Sequence, residues 1–269
     1  MGKREATRKF LVFFVAINLF AALFSFILAA EPMGIDDINI TSSTRYEQVP
    51  DAVATQAGNA TEMIINGVAN TNTWAGFYGN LTGLIQLADS SGNVMYNWTQ
   101  FNPSGQIYAS NGSNVDWTLV QCFNFTATGD GSGDMAEELG GDYSLYGANL
   151  STLELMFGIT ENDADGVNET FEDDTRAHTA FYTSGYSFGT DECPVTYVYD
   201  AAGEGTSGNF EEVLLWDAVR NNTIFTALLE QDVSGFDSMQ HDFEIMVLED
   251  GHAASAQSTT NYYFYAEIV

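Results

Sequence analysis

Beyond residue 30 this chain holds almost no positive charge. Its bases there are Arg45, Arg176 and Arg220, lysine is absent, and 36 of the 37 acids fall in the same stretch, which leaves it at a formal −33. Such a surface repels nucleic acid and anionic headgroups, so neither is an expected partner. It also repels copies of itself unless salt intervenes, with a screening length of about 8 Å at physiological ionic strength and about 3 Å at 1 M. Adaptation to a high-salt habitat produces this bias; a bias local to this protein is the alternative. The chain is not a disordered polyanion, because 45% hydrophobic and 13% aromatic residues suffice to bury a core.

The remaining bases sit at the other end. Lys3, Arg4, Arg8 and Lys9 precede an uncharged run, "FLVFFVAINLFAALFSFILAA", from Phe10 to Ala30. A basic flank followed by an apolar run is a secretory signal or an N-terminal signal anchor. The run is long enough to cross a bilayer as a helix, and Ala29-Ala30 before Glu31-Pro32 would suit a signal peptidase. Both outcomes, cleavage or a retained membrane anchor through residues 10–30, place the rest of the chain outside the cytoplasm. No second apolar span follows, so no C-terminal membrane helix is expected.

Two further features fit export. Cys122 and Cys193 are an even pair, which in an oxidising compartment reads as a disulfide. Asn-x-Ser/Thr sequons begin at Asn39, Asn59, Asn80, Asn97, Asn111, Asn124, Asn149, Asn168 and Asn221. Each is a candidate glycosylation site on an exported protein.

Residues 31–60 are polar and punctuated by Pro32, Gly34, Pro50 and Gly58, and read as a stalk with one strand near "DDINIT". A first β lobe is expected over 61–130. "EMIING" reads as a short strand, "GLIQLAD" and "VMYNW" as a hairpin closed by "SSGN", and "GQIYAS" and "DWTLVQCFNFT" as further strands. Residues 131–160 read as a loop with short helices: "DMAEELGG", and "NLSTLELMFG" with Leu150, Leu153 and Phe157 on one face. Strands resume over 161–269, in "HTAFYTSGYSF", "VTYVYDA", "FEEVLLWD", "TIFTALLEQD", "HDFEIMVLED" and "NYYFYAEIV". The expected fold is mainly β, an antiparallel β-sandwich of one large or two small lobes behind an N-terminal hydrophobic signal or anchor helix.

The run "AGNATEMIINGVANTNTWAGFYGNLTGLIQLADSSGNVMYNW", with "GQIYAS" and "VDWTLVQCFNF" after it, resembles a family of predicted exported archaeal proteins of unknown function. "FEEVLLWD", "TALLEQDVSGFD", "HDFEIMVLEDGH" and "YYFYAEIV" resemble that family's second half. The resemblance spans roughly residues 57 to 269 and includes both cysteines. It implies an archaeal cell-surface setting and carries over no activity and no catalytic residue.

The densest acidic stretch is "ENDADGVNETFEDD", from Glu161 to Asp174. With Gly166 at the sharp turn of a twelve-residue calcium loop, Glu161, Asp163, Asp165, the Val167 carbonyl, Glu169 and Glu172 fall at the ligand positions. The register suits a structural calcium ion. Against it, Glu stands where the first ligand is usually Asp, and no clear helix flanks the loop. A solvated acidic loop is the alternative.

Other motifs fail on context. "GEGTSG", Gly203 to Gly208, fits the dinucleotide-loop spacing, but "NFEEVLLWD" after it reads as a strand where a helix is required. The histidines are His178, His241 and His252, and no HExxH, GxSxG or CxxC occurs. His241 and Asp242, adjacent on a strand, would point to opposite faces. The aromatics of "GFYGN" near Trp74 and of "NYYFYAEIV" suit a saccharide platform or, more ordinarily, a core.

The expectation is therefore a structural or adhesive cell-surface protein, extracytoplasmic and without a catalytic role. It has no cofactor beyond a possible structural calcium ion, and its partner is a cell-surface protein or a saccharide. The alternatives are a filament subunit assembled by strand addition through residues 31–60 and a secreted carbohydrate-binding protein or hydrolase. The oligomeric state is left open.

Overall fold

The computed structural model describes residues 31–269 except 36, 47, 48, 50, 51, 66, 100–103, 124, 126–149, 161, 162, 172–174, 250–258 and 269. The leader, the short helix read in "DMAEELGG", the sequons at Asn124 and Asn149, and Glu161 and Glu172 of the acidic loop lie outside the described residues. So does His252.

The described chain is mainly β, and every strand pair is antiparallel. The strands in chain order are β1 (Met33–Gly34), β2 (Trp74–Gly79), β3 (Leu84–Ala88), β4 (Val94–Thr99), β5 (Gly105–Ser110), β6 (Val120–Cys122), β7 (Phe181–Thr183) and β8 (Tyr186–Phe188). They continue with β9 (Val195–Tyr197), β10 (Glu211–Asp217), β11 (Asn222–Leu228), β12 (Val233–Ser234), β13 (Gln240–His241), β14 (Phe243–Leu248) and β15 (Tyr263–Ile268). Two short helices, Leu150–Met156 and Val167–Phe171, stand between β6 and β7.

One central sheet runs β1-β15-β5-β11-β10-β6, and β9 shares the outer edge of β10 with β6. β6 pairs with Leu215–Asp217 and β9 with Glu211–Val213, so the two short strands lie end to end. Segments on both sides of residues 131–160 are hydrogen-bonded neighbours here: β5 beside β11, and β6 beside β10. The remaining strands form pairs, β2 with β14, β3 with β4, β7 with β8 and β12 with β13.

Alternation along β10 explains why the sheet sits at the centre. Val213 and Leu215 point to one face and Leu214 and Trp216 to the other, and all four are buried. The Leu214 face packs against the helix residues Leu153, Val167 and Phe171 and against Ile245 and Val247 of β14. The Leu215 face packs against Phe181 and Phe188 of the β7–β8 hairpin and against Trp117 and Val120. A sheet covered on both faces needs apolar residues at successive positions, which is what "VLLW" supplies. The helix read in "NLSTLELMFG" is present, with Leu153 and Phe157 buried and Leu150 packed beside them.

Two expectations shift. "EMIING" forms no strand: Met63, Ile64 and Ile65 are exposed, Ile64 at 91%. β propensity reflects packing on a pleated surface, and no described sheet of this chain takes these residues. The strand expected near "DDINIT" occurs a few residues earlier, as the Met33–Gly34 contact with β15.

The Cys122–Cys193 disulfide is formed, across a sequence separation of 71. It joins β6 to the residues leading into β9, and so ties together the two pieces that share the edge of β10. The pairs Leu215↔Cys122 and Val213↔Val195 fix that arrangement from the sheet side.

Candidate functional site

With few bases in the chain, the described carboxylates take backbone amides as partners. Three acids lie on the fully buried strand β10. Glu211 accepts from the Thr179 amide at 2.7 Å and from the Gly208 amide at 2.9 Å. Asp217 accepts from the amides of Asp116, Val219 and Arg220, which closes the β10–β11 turn and anchors the 3-10 turn Trp117–Leu119. Glu212 accepts from the Met246 amide at 2.9 Å, and its other oxygen has no partner. Burial pushes the Glu212 carboxyl well above the usual carboxylate range. Each of these acids thus holds at least one backbone amide in place.

The acidic loop is arranged in the same way. Asp163 Oδ2 accepts from the Thr160 amide at 2.8 Å. Asp165 Oδ2 accepts from the Thr71 hydroxyl, and the Asp165 carbonyl accepts from Trp74 Nε1 at 2.7 Å. Val167 opens a helix, and its amide donates to the buried Glu154 at 3.1 Å. A Cβ on Gly166 would come within 2.5 Å of Glu169 Oε2, so a side chain there would displace the Glu169 carboxylate. Among the described residues, no three His, Cys, Asp or Glu side chains are grouped as metal ligands.

The histidines divide by role. His178 is fully buried. Its Nε2 accepts from the amides of Glu192 and Cys193, at 3.1 and 2.9 Å. Two donors at Nε2 put the ring proton on Nδ1, which donates to the Thr179 carbonyl at 2.8 Å. The ring is therefore a latch behind the disulfide, with both nitrogens occupied. His241 pairs through Nε2 with Asp237 at 2.9 Å. Its sequence neighbour Asp242 serves elsewhere, accepting from the amides of Leu81 and Asp232.

Of the aromatics expected as core or platform, Trp74, Tyr262, Phe264 and Tyr265 pack partly buried against the core, and Phe77, Tyr78 and Tyr263 are exposed. Trp74 meets Phe171 and Phe225, while Phe264 and Tyr265 pack on opposite faces of the central sheet. "GEGTSG" leads into strand β10, so it has no helix N-terminus with which to face a phosphate. Of the described sequons, Asn39, Asn59, Asn80, Asn97 and Asn221 are exposed, and Asn111 and Asn168 are half-buried.

The feature that points outward is the β3–β4 hairpin. Asp89 closes its turn by accepting from the amides of Ser91 and Asn93, both at 2.9 Å. Gly92 takes the positive φ of 80° that the turn requires. Register pairs Ile85 with Trp98 and Leu87 with Tyr96 on one face, and Gln86 with Asn97 on the other. Half or so of each apolar side chain is open to solvent, at 46% for Ile85, 51% for Leu87, 59% for Tyr96 and 51% for Trp98. Tyr96 and Trp98 touch each other edge to face, with ring centroids 4.9 Å apart. No third described strand pairs with the hairpin, so both outer edges present free amides and carbonyls.

No family model, curated protein or solved structure matches this chain. The hairpin face is therefore interpreted from its own chemistry. It is an apolar, uncharged patch that does not contribute to the core. Alternation and the turn residues mark the hairpin in the sequence but do not say what covers its apolar side. The signal that separates it from core is charge: residues 63–115 carry one charged side chain, Asp89. An acidic molecule shows a neutral window there.

A smaller cluster adjoins the end of β2. Tyr78, exposed like Phe236, packs edge to face on Phe236 at 4.9 Å and on the His241 ring at 5.0 Å. Beneath them Glu244 is almost fully buried, with one oxygen accepting from the Phe236 amide at 3.1 Å and the other without a partner. Burial raises the Glu244 carboxyl to about 7, Asp237 and Asp200 add to the rise, and His241 opposes it.

Proposed function

We propose that this chain is a structural or adhesive protein of the extracytoplasmic cell surface and has no catalytic role. The observation that carries the reading is the uncharged apolar face of the β3–β4 hairpin, presented on a body that is otherwise heavily acidic. Such a face serves contact, not chemistry. The formed disulfide and the exposed sequons support an oxidising, glycosylating compartment. The leader supports export, either released or held in the membrane by residues 10–30. The absence of lysine beyond residue 30 supports a saline medium and an archaeal cell surface.

The residue arrangement supports no competing chemistry as well as it supports contact. His178 has both nitrogens committed, and the buried acids hold backbone amides. A saccharide partner would find a small aromatic step at Tyr78 and Phe236. A filament subunit, the second reading, is favoured by the open edges of the hairpin.

Fractionation of native cells tests the proposal. The chain is expected in the envelope fraction or the medium, and protease added to intact cells should remove it. Recovery in the soluble interior, untouched by external protease, would overturn the reading.

A further inference from the structure

We propose that the leader, retained as an anchor, holds the body directly against the bilayer, with the β3–β4 hairpin lying in the lipid interface beside it. This rests on the surface-protein reading and deepens it, by naming a lipid surface as the partner. What carries it is the place where the fold takes up the chain.

The sequence reads residues 31–60 as a stalk, yet the body begins almost at once. Pro32, two residues beyond the apolar run Phe10–Ala30, is buried. Met33 and Gly34 pair with Ala266 and Tyr265 of β15, and the Ile35 amide donates to the Phe264 carbonyl at 3.1 Å. One residue, Glu31, separates the run from buried Pro32. An extended residue reaches at most ~3.6 Å. The headgroup layer outside the hydrocarbon core is about 5–8 Å deep on each side. A span that ends at Ala30 therefore cannot hold the body clear of the headgroups.

The same end of β15 carries the hairpin. Ile268 is the last residue of that strand, and a Cβ on Gly83, the residue before β3, would overlap the Ile268 side chain. Carried on by two residues, the Met33↔Ala266 register sets Glu31 opposite Ile268. Two contacts at about the 5 Å strand spacing put the root of the hairpin on the order of 10 Å from Glu31.

What the hairpin presents there suits an interface. Ile85, Leu87, Tyr96 and Trp98 form one half-exposed face. Tryptophan and tyrosine favour the headgroup boundary, where an apolar ring and a polar tip are both served. Gln86 and Asn97 lie across the pleat, so the Asn97 sequon would face the medium. The turn from Asp89 to Asn93 is polar and holds the one charge of the hairpin, so the hairpin lies along the surface and does not pierce it. The acidic body is repelled by anionic headgroups, but so short a tether brings it there, and the element beside the tether has an uncharged face.

Tryptophan quenching tests this on the purified full chain, reconstituted in phosphatidylcholine vesicles with brominated acyl chains. The leader contains no tryptophan. Of the four in the chain, Trp117 and Trp216 are buried and Trp74 is half-buried, which leaves Trp98 to meet lipid. The chain is expected to float with the vesicles and to lose part of its emission to bromine. Trp98→Phe should abolish that loss. Leu87→Asp, which sets a charge in the face, should diminish it while Trp98 remains. Both positions are half-exposed, and melting temperatures matching the wild type should show that the fold is intact. A chain that does not float, or that floats unquenched, would overturn the proposal. So would quenching that survives Trp98→Phe, or an unquenched chain that cross-links as vesicle-bound dimers, which would give the face to a second copy. These outcomes are read in vesicles and the cellular location by fractionation, so the two readings fail separately.

Discussion

Glu244 shows how single side chains are managed in a molecule with few bases. Its carboxyl is almost fully buried, holds the Phe236 amide, and is faced by His241, Asp237 and Asp200. Burial first, then Asp237 and Asp200, raise it from 4.5 to about 7. Burial likewise raises Glu230 to about 7. Between the two values the unfolded chain has lost a proton that the fold still carries, so stability falls as pH rises from about 4.5 to about 7 and then levels off. Thermal melts across that range should show the decline, and Glu244→Gln should flatten part of it, since the amide still accepts from Phe236. An unchanged slope in the variant would assign the effect elsewhere. His178 is the other informative residue. Replacing it with Phe leaves the Glu192 and Cys193 amides without their buried acceptor. At roughly 1–3 kcal/mol for each unmet group, denaturant unfolding should show a loss of about 3 kcal/mol. None of this was legible in the sequence, where His178 and Glu244 look like any other polar residues. Their roles depend on amides brought from distant loops.

Elements were more legible than residues, and unevenly so. β10 and β11 were readable because their apolar runs match a sheet covered on both faces, and β14 and β15 from their apolar and aromatic runs. The β3–β4 hairpin was readable from its turn, but not its exposure, because periodicity reports amphipathicity and not what covers the apolar side. "EMIING" carried the same β signal, yet its described residues pair with no described strand. The disulfide was readable from cysteine count and compartment; its mechanical role was not. It fastens β6 and β9 along one edge of β10, closing a loop of separation 71. Chain-entropy arithmetic for such a loop gives about 4 kcal/mol. Cys122→Ser with Cys193→Ser should lower unfolding stability by that order in denaturant titration. A loss below about 1 kcal/mol would show that pairing with β10 alone holds the edge.

At the scale of the whole molecule, two distributions meet. Apolar residues fill both faces of one central sheet, and residues 63–115 carry one charged side chain, Asp89. The first distribution makes a body in which the buried acids Glu211, Glu212 and Asp217 take backbone amides as partners. The second leaves the β3–β4 hairpin free of charged side chains except Asp89 in its turn. Both accord with life in a salty, oxidising exterior, which is the central claim. The intact mass of the chain isolated from its own cells without reductant tests that claim most directly. The account predicts an unreduced Cys122–Cys193 bond and glycan increments among Asn39, Asn59, Asn80, Asn97 and Asn221. A chain with free thiols and bare asparagines would contradict it.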